Sequence, residues 1–217
     1  MFGVSRMTVR MAIQKLSACG LVTTRAGEGS YVRAFSLQDY LAAAKNFYVT
    51  PEMLDDVCEF RKLLEVECAR LACQRATEED LQLIQLACDE YHQVIVPGAP
   101  LTEENLNLRV KADLDFHYSI CRASHNSMYV LAFTAARGAI AQHLKNIIPS
   151  RILERPNLDY VSDGRTAHQY ILDTIRKHDV RACLEAYLPH IDHRFALEEL
   201  EKILQSISTD KPTSNQK

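Results

Sequence analysis

The sequence lacks any apolar run long enough to cross a membrane. A spanning helix needs roughly 20 consecutive apolar residues, and no stretch of the 217 residues approaches that length. The N-terminus also lacks the apolar stretch and the small-residue cleavage site of a secretory signal. We therefore expect a cytoplasmic protein with no membrane partner. With 47% hydrophobic and 24% charged residues, the chain suits one large or two smaller domains.

Paired cysteine motifs are absent as well. The seven cysteines are odd in number, and no two of them stand in C-x-x-C spacing. They are scattered through apolar helical patterns, which is typical of reduced residues in a core. The cysteines predicted to be reduced core residues are Cys19, Cys58, Cys68, Cys73, Cys88, Cys121 and Cys183.

Strand-like alternation is missing after residue 50. Thr50-Pro51-Glu52 supplies a helix N-cap, a proline at the first helical position and an early acid. The remaining chain has helical periodicity up to its polar tail, so we predict an all-α bundle with its sites between helices. The predicted helices are 51–75, 77–95, 102–124, 127–148, 162–178 and 180–206, with breaks at Thr77, Pro97-Gly98-Ala99-Pro100, Asn126, Pro149 to Pro156, and Asp179.

Charge is unevenly distributed along the chain. The formal net charge is −3, but residues 1–35 carry +4 and the remainder carries −7. A basic segment attached to an acidic body suggests a nucleic-acid contact confined to one end.

The basic segment has the pattern of a turn, an amphipathic helix and a hairpin. Ser5 can cap a helix whose apolar positions Val9, Ile13 and Leu16 recur at helical spacing, and Gly20 can end it. Two short β-prone runs, 21–25 and 30–33, follow. This order is that of a winged helix-turn-helix, whose second helix enters the major groove.

The sequence of this segment from Gly3 to Val32, "GVSRMTVRMAIQKLSACGLVTTRAGEGSYV", resembles the GntR family of bacterial transcription regulators. The resemblance implies that Ser5, Arg6, Thr8 and Arg10 contact operator DNA and that Gly27 lies at the wing tip. Members of the family carry a first helix and most of a second before this turn. We therefore interpret the segment as a truncated winged helix, which we expect to bind DNA weakly as written.

Three later segments resemble the FCD effector domain of the FadR branch of GntR regulators. Their sequences are "VCEFRKLLEVECARLACQRATEEDL", "DLDFHYSICRASHNSMY" and "HQYILDTIRKHDVRACLEAYLPH". The fold class is accordingly mainly all-α, a partial winged helix-turn-helix followed by a six-helix antiparallel FCD-like bundle. The predicted divisions are 1–35 for the DNA-binding domain, 36–50 for a linker, 51–206 for the effector domain and 207–217 for a loose tail.

A metal site is the main chemical prediction. Asp113 and His117 stand four residues apart, about 40° around one helix, so both can reach one ion. His168 and His190 lie on two later helices. One Asp with three His suits Zn²⁺ first, and Ni²⁺, Co²⁺, Mn²⁺ or Fe²⁺ as alternatives. From the residues alone these could instead be a surface pair and hydrogen-bonded core histidines.

The resemblance strengthens the metal interpretation, because many FCD domains hold a divalent metal with a D-x-x-F-H motif and two downstream histidines. Pro189 precedes His190 inside the last predicted helix and tends to kink it. A different register would let His193 replace His190 as the ligand, although His193 is more readily a surface residue.

Effector binding at the metal would control DNA binding. The resemblance implies a small carboxylate effector, such as a hydroxy acid, a sugar acid or a dicarboxylate, bound through the metal, with Arg61 facing the same cavity. Pairing of Arg61 with Glu65, one turn later, is the structural alternative. A homodimer is expected because helix-turn-helix proteins read two half-sites.

Two other functions remain open at this stage. Three His and one Asp could also activate water in a metal-dependent enzyme, but no nearby pattern supplies a general base, so we do not predict an enzyme. A metal-free regulator that responds to acyl-CoA is the second alternative, and the complete ligand set argues against it.

Overall fold

The computed structural model describes residues 3–34, 36–37, 40, 50–95, 100–154, 166–192, 201–203 and 205. The chain divides into two compact units, Met1–Thr50 and Pro51–Lys217. Most of the predicted linker 36–50 lies outside the described residues, although Leu37 and Tyr40 are helical. The predicted tail 207–217 lies wholly outside them.

The first unit opens with helix α1, Arg6–Ala18, which begins and ends at the predicted signals. The Oγ of Ser5 accepts a hydrogen bond from the backbone N–H of Thr8 at 3.1 Å and so caps the first turn. After the last turn, Gly20 has a φ of +73°, a left-handed conformation that favours glycine. Leu21 N–H then donates to the carbonyl of Leu16 at 3.0 Å, which closes the helix end.

A two-stranded antiparallel hairpin follows α1. Strand β1, Val22–Arg25, pairs with strand β2, Gly29–Val32, and Arg25 faces Gly29 next to the turn. Gly27, inside the turn, has a φ of +79°, which a side chain would strain. Helix and hairpin therefore form part of a winged helix-turn-helix.

Six helices with defined bounds make up most of the described part of the second unit. None of the helices in the described ranges has the length and apolar character that a membrane span requires. Residues 201–203 are also helical. The six helices are α2 (Pro51–Arg75), α3 (Glu78–Val94), α4 (Glu103–Ala123), α5 (Ser127–Glu154), α6 (Ala167–Arg176) and α7 (Val180–Ile191).

Threonine caps determine where three of these helices begin. Thr77, Thr102 and Thr166 precede α3, α4 and α6, and each side chain accepts a hydrogen bond from a backbone N–H in the first turn. Thr77 and Asp80 form a complete capping box, because each side chain also bonds the backbone of the other residue. These signals are local, so α3 and α4 begin within one residue of their predicted positions.

The core lies where α4 meets its neighbours. Helix α4 packs against α2, α3 and α5, while α7 packs against α2 and α6. Each large apolar side chain buried there contributes about 1.5–3 kcal/mol. Side chains on the inner face of α4 are therefore enclosed by the bundle. Fully buried members of the core include Ile84, Phe116, Ile120, Ile171, Leu172, Ile175, Leu184 and Leu188.

The predicted break at Pro149 to Pro156 is wrong for its first part, because α5 continues through Pro149 to Glu154. Proline removes one helical N–H, so the carbonyl of Lys145 loses its usual donor. Leu144 and Ile148, on the turn that includes this proline, are buried against the bundle. Tertiary packing therefore outweighs the local cost of the proline.

The predicted helix 180–206 is interrupted at Asp192. Helix α7 ends at Ile191, and Asp192 adopts an extended backbone with φ −123° and ψ 104°. The Nζ of Lys62, on α2, lies 3.3 Å from the buried carboxylate of Asp192. Pro189 also removes an N–H from the last turn. His190 thus lies in the final turn of α7.

Five of the seven cysteines are buried, as the prediction of core residues requires, and none of the seven, all of which lie in the described ranges, forms a disulfide. Cys58 is half-buried. Cys19 is exposed at the C-cap of α1, so the prediction is wrong for this residue. The buried cysteines are Cys68, Cys73, Cys88, Cys121 and Cys183.

Candidate metal centre

Four side chains from three helices converge inside the second unit. Asp113 and His117 lie one turn apart on α4, His168 lies in the first turn of α6, and His190 lies in the last turn of α7. One possible ligand atom from each residue lies within 4.8 Å of all the others. The four residues predicted as metal ligands are therefore neighbours in space. We call them the Asp–His cluster.

The distances within the Asp–His cluster fit a single ion. The Nε2 of His190 lies 3.1 Å from the Nε2 of His117 and 3.0 Å from that of His168. Asp113 approaches His168 to 3.4 Å through Oδ1 and His117 to 3.8 Å through Oδ2. Bonds of about 2.0–2.2 Å to zinc allow two ligand atoms to lie up to about 4.4 Å apart.

The hydrogen-bonding state of the cluster also fits a cation. A neutral imidazole has one N–H and one lone pair. The Nε2 atom of His190 faces the Nε2 atoms of His117 and His168, and if all three carry lone pairs, no proton lies between them to form a hydrogen bond. In addition, Asp113 Oδ2 is buried and has no hydrogen-bond partner among the described residues. A positive ion in the centre would satisfy both groups at once.

Electrostatics favour the protonation states that a metal needs. Burial alone would raise the pKa of Asp113, but His117, His168 and Arg61 hold it well below its ordinary value. Burial, with His168 and His117 nearby, lowers the pKa of His190 well below the usual value. An ionised Asp113 and a neutral His190 are thus in the forms that coordinate a metal.

The start of α6 fixes His168. The Nε2 of His92, on α3, lies 2.8 Å from the Oγ1 of Thr166, the residue that caps α6. The imidazole of His168 packs against the rings of Tyr91 and Phe116, each with its centroid 4.1 Å away. These two contacts restrict the orientation of the imidazole.

Behind His117 lies a buried polar group that sequence reasoning missed. The Nδ1 of His117 lies 2.8 Å from Oε2 of Glu65, on α2, and 2.6 Å from the hydroxyl of Tyr187, on α7. A charged residue on the apolar stripe of α2, between Leu64 and Cys68, was the signal that could have identified Glu65. Tyr187 carried no comparable signal.

Arg61 pairs with Glu65, which is the alternative weighed against an effector contact. Its Nε donates to Oε1 at 2.7 Å and its Nη2 donates to Oε2 at 3.4 Å, and both side chains are almost completely buried. Burial alone would raise the pKa of Glu65, but Arg61 and His117 lower it to about 2. The assignment of Arg61 as an effector-binding residue stays a prediction.

The other histidines have separate partners. His125 Nε2 lies 2.7 Å from Asp80 Oδ2, and His178 Nδ1 lies 2.7 Å from the carbonyl oxygen of Cys73. Neither residue joins the Asp–His cluster. His193, the alternative to His190, lies outside the described residues.

The predicted DNA-contacting residues lie on α1 and in the hairpin of the first unit. Ser5, Arg6, Thr8 and Arg10 are exposed at the N-terminal half of α1 or at its cap, and Gly27 is exposed in the turn. The hydroxyls of Ser5 and Thr8 lie 2.8 Å apart. Two guanidinium groups and two hydroxyls thus share one end of the helix, a combination suited to phosphate oxygens.

Comparison with protein families agrees with both units. The FCD domain matches residues 56–193, well over half of the chain, and the family of bacterial regulatory proteins called gntR matches residues 1–32. The chain belongs to the GntR family and carries an FCD domain. The family is one of bacterial regulatory proteins, and the relatives described below are named as transcription regulators, not as enzymes.

Individual relatives of this GntR–FCD chain are regulators by name. The HTH-type transcriptional regulator LutR of Bacillus subtilis is 35% identical over 156 residues, covering 70% of this chain and 61% of LutR. The match thus spans less than two thirds of that relative. A regulatory protein of Escherichia coli named for the L-lactate dehydrogenase operon is 28% identical, covering 87% of this chain and 70% of its own length.

The Glc operon transcriptional activator of Escherichia coli is 28% identical over 206 residues, covering 94% of this chain and 75% of the activator. Among solved structures, a GntR protein of Streptococcus agalactiae matches with a TM-score of 0.55 and 26% identity, covering 91% of this chain and 82% of that one. The fold is therefore similar to that of a solved GntR protein.

Proposed function

We propose that this chain is a bacterial transcription regulator whose FCD domain binds a divalent metal and a small carboxylate effector, and so controls DNA binding by the first unit. The convergence of Asp113, His117, His168 and His190 carries the proposal. The names of the relatives, which are transcription regulators, support its regulatory part.

The ligand set favours a transition metal of intermediate softness. Three imidazoles and one carboxylate suit Zn²⁺ first, and also Ni²⁺, Co²⁺, Mn²⁺ or Fe²⁺. With neutral histidines and an ionised Asp113, a divalent ion would leave a net charge of about +1 at the centre. A bound ion would supply an electrophilic position for an anionic oxygen.

A small hydroxy acid is the first candidate among the effectors. Its carboxylate supplies the negative charge that the centre lacks, and its hydroxyl supplies a second oxygen ligand nearby. The relative named for the L-lactate dehydrogenase operon supports this choice, because lactate is a 2-hydroxy carboxylate. Sugar acids and dicarboxylates offer the same carboxylate chemistry.

An effector that binds only the folded protein should raise its melting temperature. We expect L-lactate or a related acid, at a hundred times its Kd, to stabilise the Zn²⁺-loaded chain by about 2.7 kcal/mol. For a domain of this size that corresponds to a shift of roughly 5–10 °C. A thermal-shift screen of hydroxy acids, sugar acids and dicarboxylates measures this directly.

Propane-1,2-diol is the matched control ligand, because it keeps the skeleton and hydroxyl of lactate but has no carboxylate. It should leave the melting temperature unchanged. The effector proposal would be abandoned if every acid in the screen shifted the metal-loaded and the chelator-treated protein equally, since binding would then not depend on the metal.

DNA binding is assigned to α1 and the hairpin, and the regulator is proposed to act as a homodimer. Helix-turn-helix proteins usually read two half-sites related by a twofold axis. An effector can shift such a system only if it binds one arrangement of the dimer more tightly than another.

Arg6 and Arg10 should each neutralise a phosphate. With a non-specific DNA duplex, replacing either by alanine should weaken binding and make the negative slope of log K against log salt less steep by about 0.9. Fluorescence anisotropy at several salt concentrations gives this slope. Arg181→Ala removes an exposed arginine from α7 and serves as the control. An unchanged slope in the Arg6→Ala/Arg10→Ala double variant would remove α1 from the DNA interface.

A further inference from the structure

Helix α2 contributes no residue to the Asp–His cluster, yet it supplies the side chain behind one of the ligands. Glu65 is fully buried, and its carboxylate faces Nδ1 of His117, the nitrogen that points away from the cluster. Burying a carboxylate at this depth is unfavourable unless it is paired and hydrogen-bonded. Such a costly group directly behind a candidate ligand needs an explanation.

The three buried partners of Glu65 fit together as one network. Arg61 binds both carboxylate oxygens and balances the charge. The hydroxyl of Tyr187 donates to Glu65 Oε2 at 3.3 Å. The same hydroxyl oxygen lies 2.6 Å from His117 Nδ1 and can accept its proton as a hydrogen bond. Arg61 and Tyr187 therefore both donate to the carboxylate, and His117 Nδ1 lies within hydrogen-bond distance of both the hydroxyl and the carboxylate.

This arrangement selects one form of His117. An ionised carboxylate only accepts hydrogen bonds, and the Tyr187 hydroxyl already donates a hydrogen bond to that carboxylate. Both neighbours of Nδ1 therefore require a proton on Nδ1. The lone pair of neutral His117 is then on Nε2, which faces His190 and Asp113.

We propose that Glu65 and Tyr187 are positioning residues that hold His117 in the Nδ1-protonated form needed to bind a metal through Nε2, and that Arg61 holds Glu65 in place. The proposal rests on the metal centre of the proposed function. A carboxylate behind a ligating histidine fixes the orientation of the ring and raises the basicity of the ligand.

The network also links helices that the cluster alone does not connect. Glu65 and Arg61 lie on α2, His117 lies on α4 and Tyr187 lies on α7. Tyr187 precedes His190 by three residues, so the hydroxyl and the second imidazole share one face of α7. The position of α2 is thus coupled to two of the helices that supply ligands.

Replacing Glu65 by glutamine should lower the affinity of the full chain for Zn²⁺ by about 10–100-fold. The glutamine keeps the shape of the side chain, but its amide can donate to Nδ1 and favour the wrong form of the imidazole. Tyr187→Phe should cause a smaller loss, because Glu65 remains. Competition with a chromophoric chelator measures both affinities. Glu67→Gln, a half-buried glutamate on α2 that pairs with Arg70, should leave the affinity unchanged.

A second measurement does not need the metal. In the metal-free protein labelled with ¹⁵N-histidine, at a pH where His117 is neutral, the ring should carry its proton on Nδ1 in the wild type and should shift toward Nε2 protonation in Glu65→Gln. A role of Glu65 in packing alone would not move this signal.

The outcomes separate the two proposals. A wild type that binds no metal would refute the proposed metal centre, while the ¹⁵N spectrum would still test whether Glu65 controls the form of His117. A wild type protonated on Nε2, or a Glu65→Gln variant with unchanged Zn²⁺ affinity, would overturn the positioning role.

Discussion

Replacing Asp113 by asparagine should reduce bound metal from about one equivalent per chain to less than about a tenth. Asp113 is the only anionic member of the Asp–His cluster, and its ionised carboxylate offsets half of the charge of a divalent ion. Asparagine has nearly the same shape but no charge, so the bundle should fold without filling the site. Elemental analysis of protein purified without chelator measures the metal content.

The control for this variant is His125→Gln. It removes a histidine that also contacts a carboxylate, but at Asp80 outside the cluster. Its metal content should equal that of the wild type. After chelation, wild type and Asp113→Asn should melt at similar temperatures, and only the wild type should gain stability when Zn²⁺ returns. Full metal occupancy in Asp113→Asn would contradict the predicted site.

Replacing Arg61 by alanine should lower the free energy of unfolding by about 3–5 kcal/mol. Arg61 and Glu65 form a buried ion pair, and removal of one partner leaves the other charge uncompensated in the bundle. The loss is a large fraction of the stability of an ordinary domain. Urea unfolding of chelator-treated protein measures it without a contribution from the metal.

A paired replacement separates charge from packing. The double variant Arg61→Met/Glu65→Leu removes both charges and keeps most of the volume, so it should recover most of the lost stability. It should not recover metal affinity, because nothing then accepts the hydrogen bond from His117 Nδ1 except Tyr187. If the single and double variants were equally unstable, the cost would arise from packing rather than from an unpaired charge.

Local signals allowed most of the fold to be predicted. Ser5, Thr77 and Thr102 cap helices within one residue of the predicted starts, because capping depends on neighbours in sequence. The errors occurred where distant contacts decide. Packing carries α5 past Pro149, and the pairing of Lys62 with Asp192 coincides with the end of α7.

How much of the candidate site could be predicted from the sequence differed from one residue to the next. The spacing of Asp113 and His117 is local, but the approach of His168 and His190 depends on how α6 and α7 pack, which periodicity does not specify. The resemblance to FCD domains supplied that step. The contact of Glu65 with His117 was not predicted, because a glutamate four residues after Arg61 usually forms an exposed ion pair on a helix surface.

One ring of the Asp–His cluster differs from the others in its access to water. The side chain of His190 is 18% exposed, whereas those of His117 and His168 are sealed and that of Asp113 is 9% exposed. Among these four residues, His190 therefore offers the shortest route by which a metal ion or an effector anion can reach the cluster from solvent. The rates at which an ion enters and leaves should therefore change together when the surroundings of this imidazole are altered.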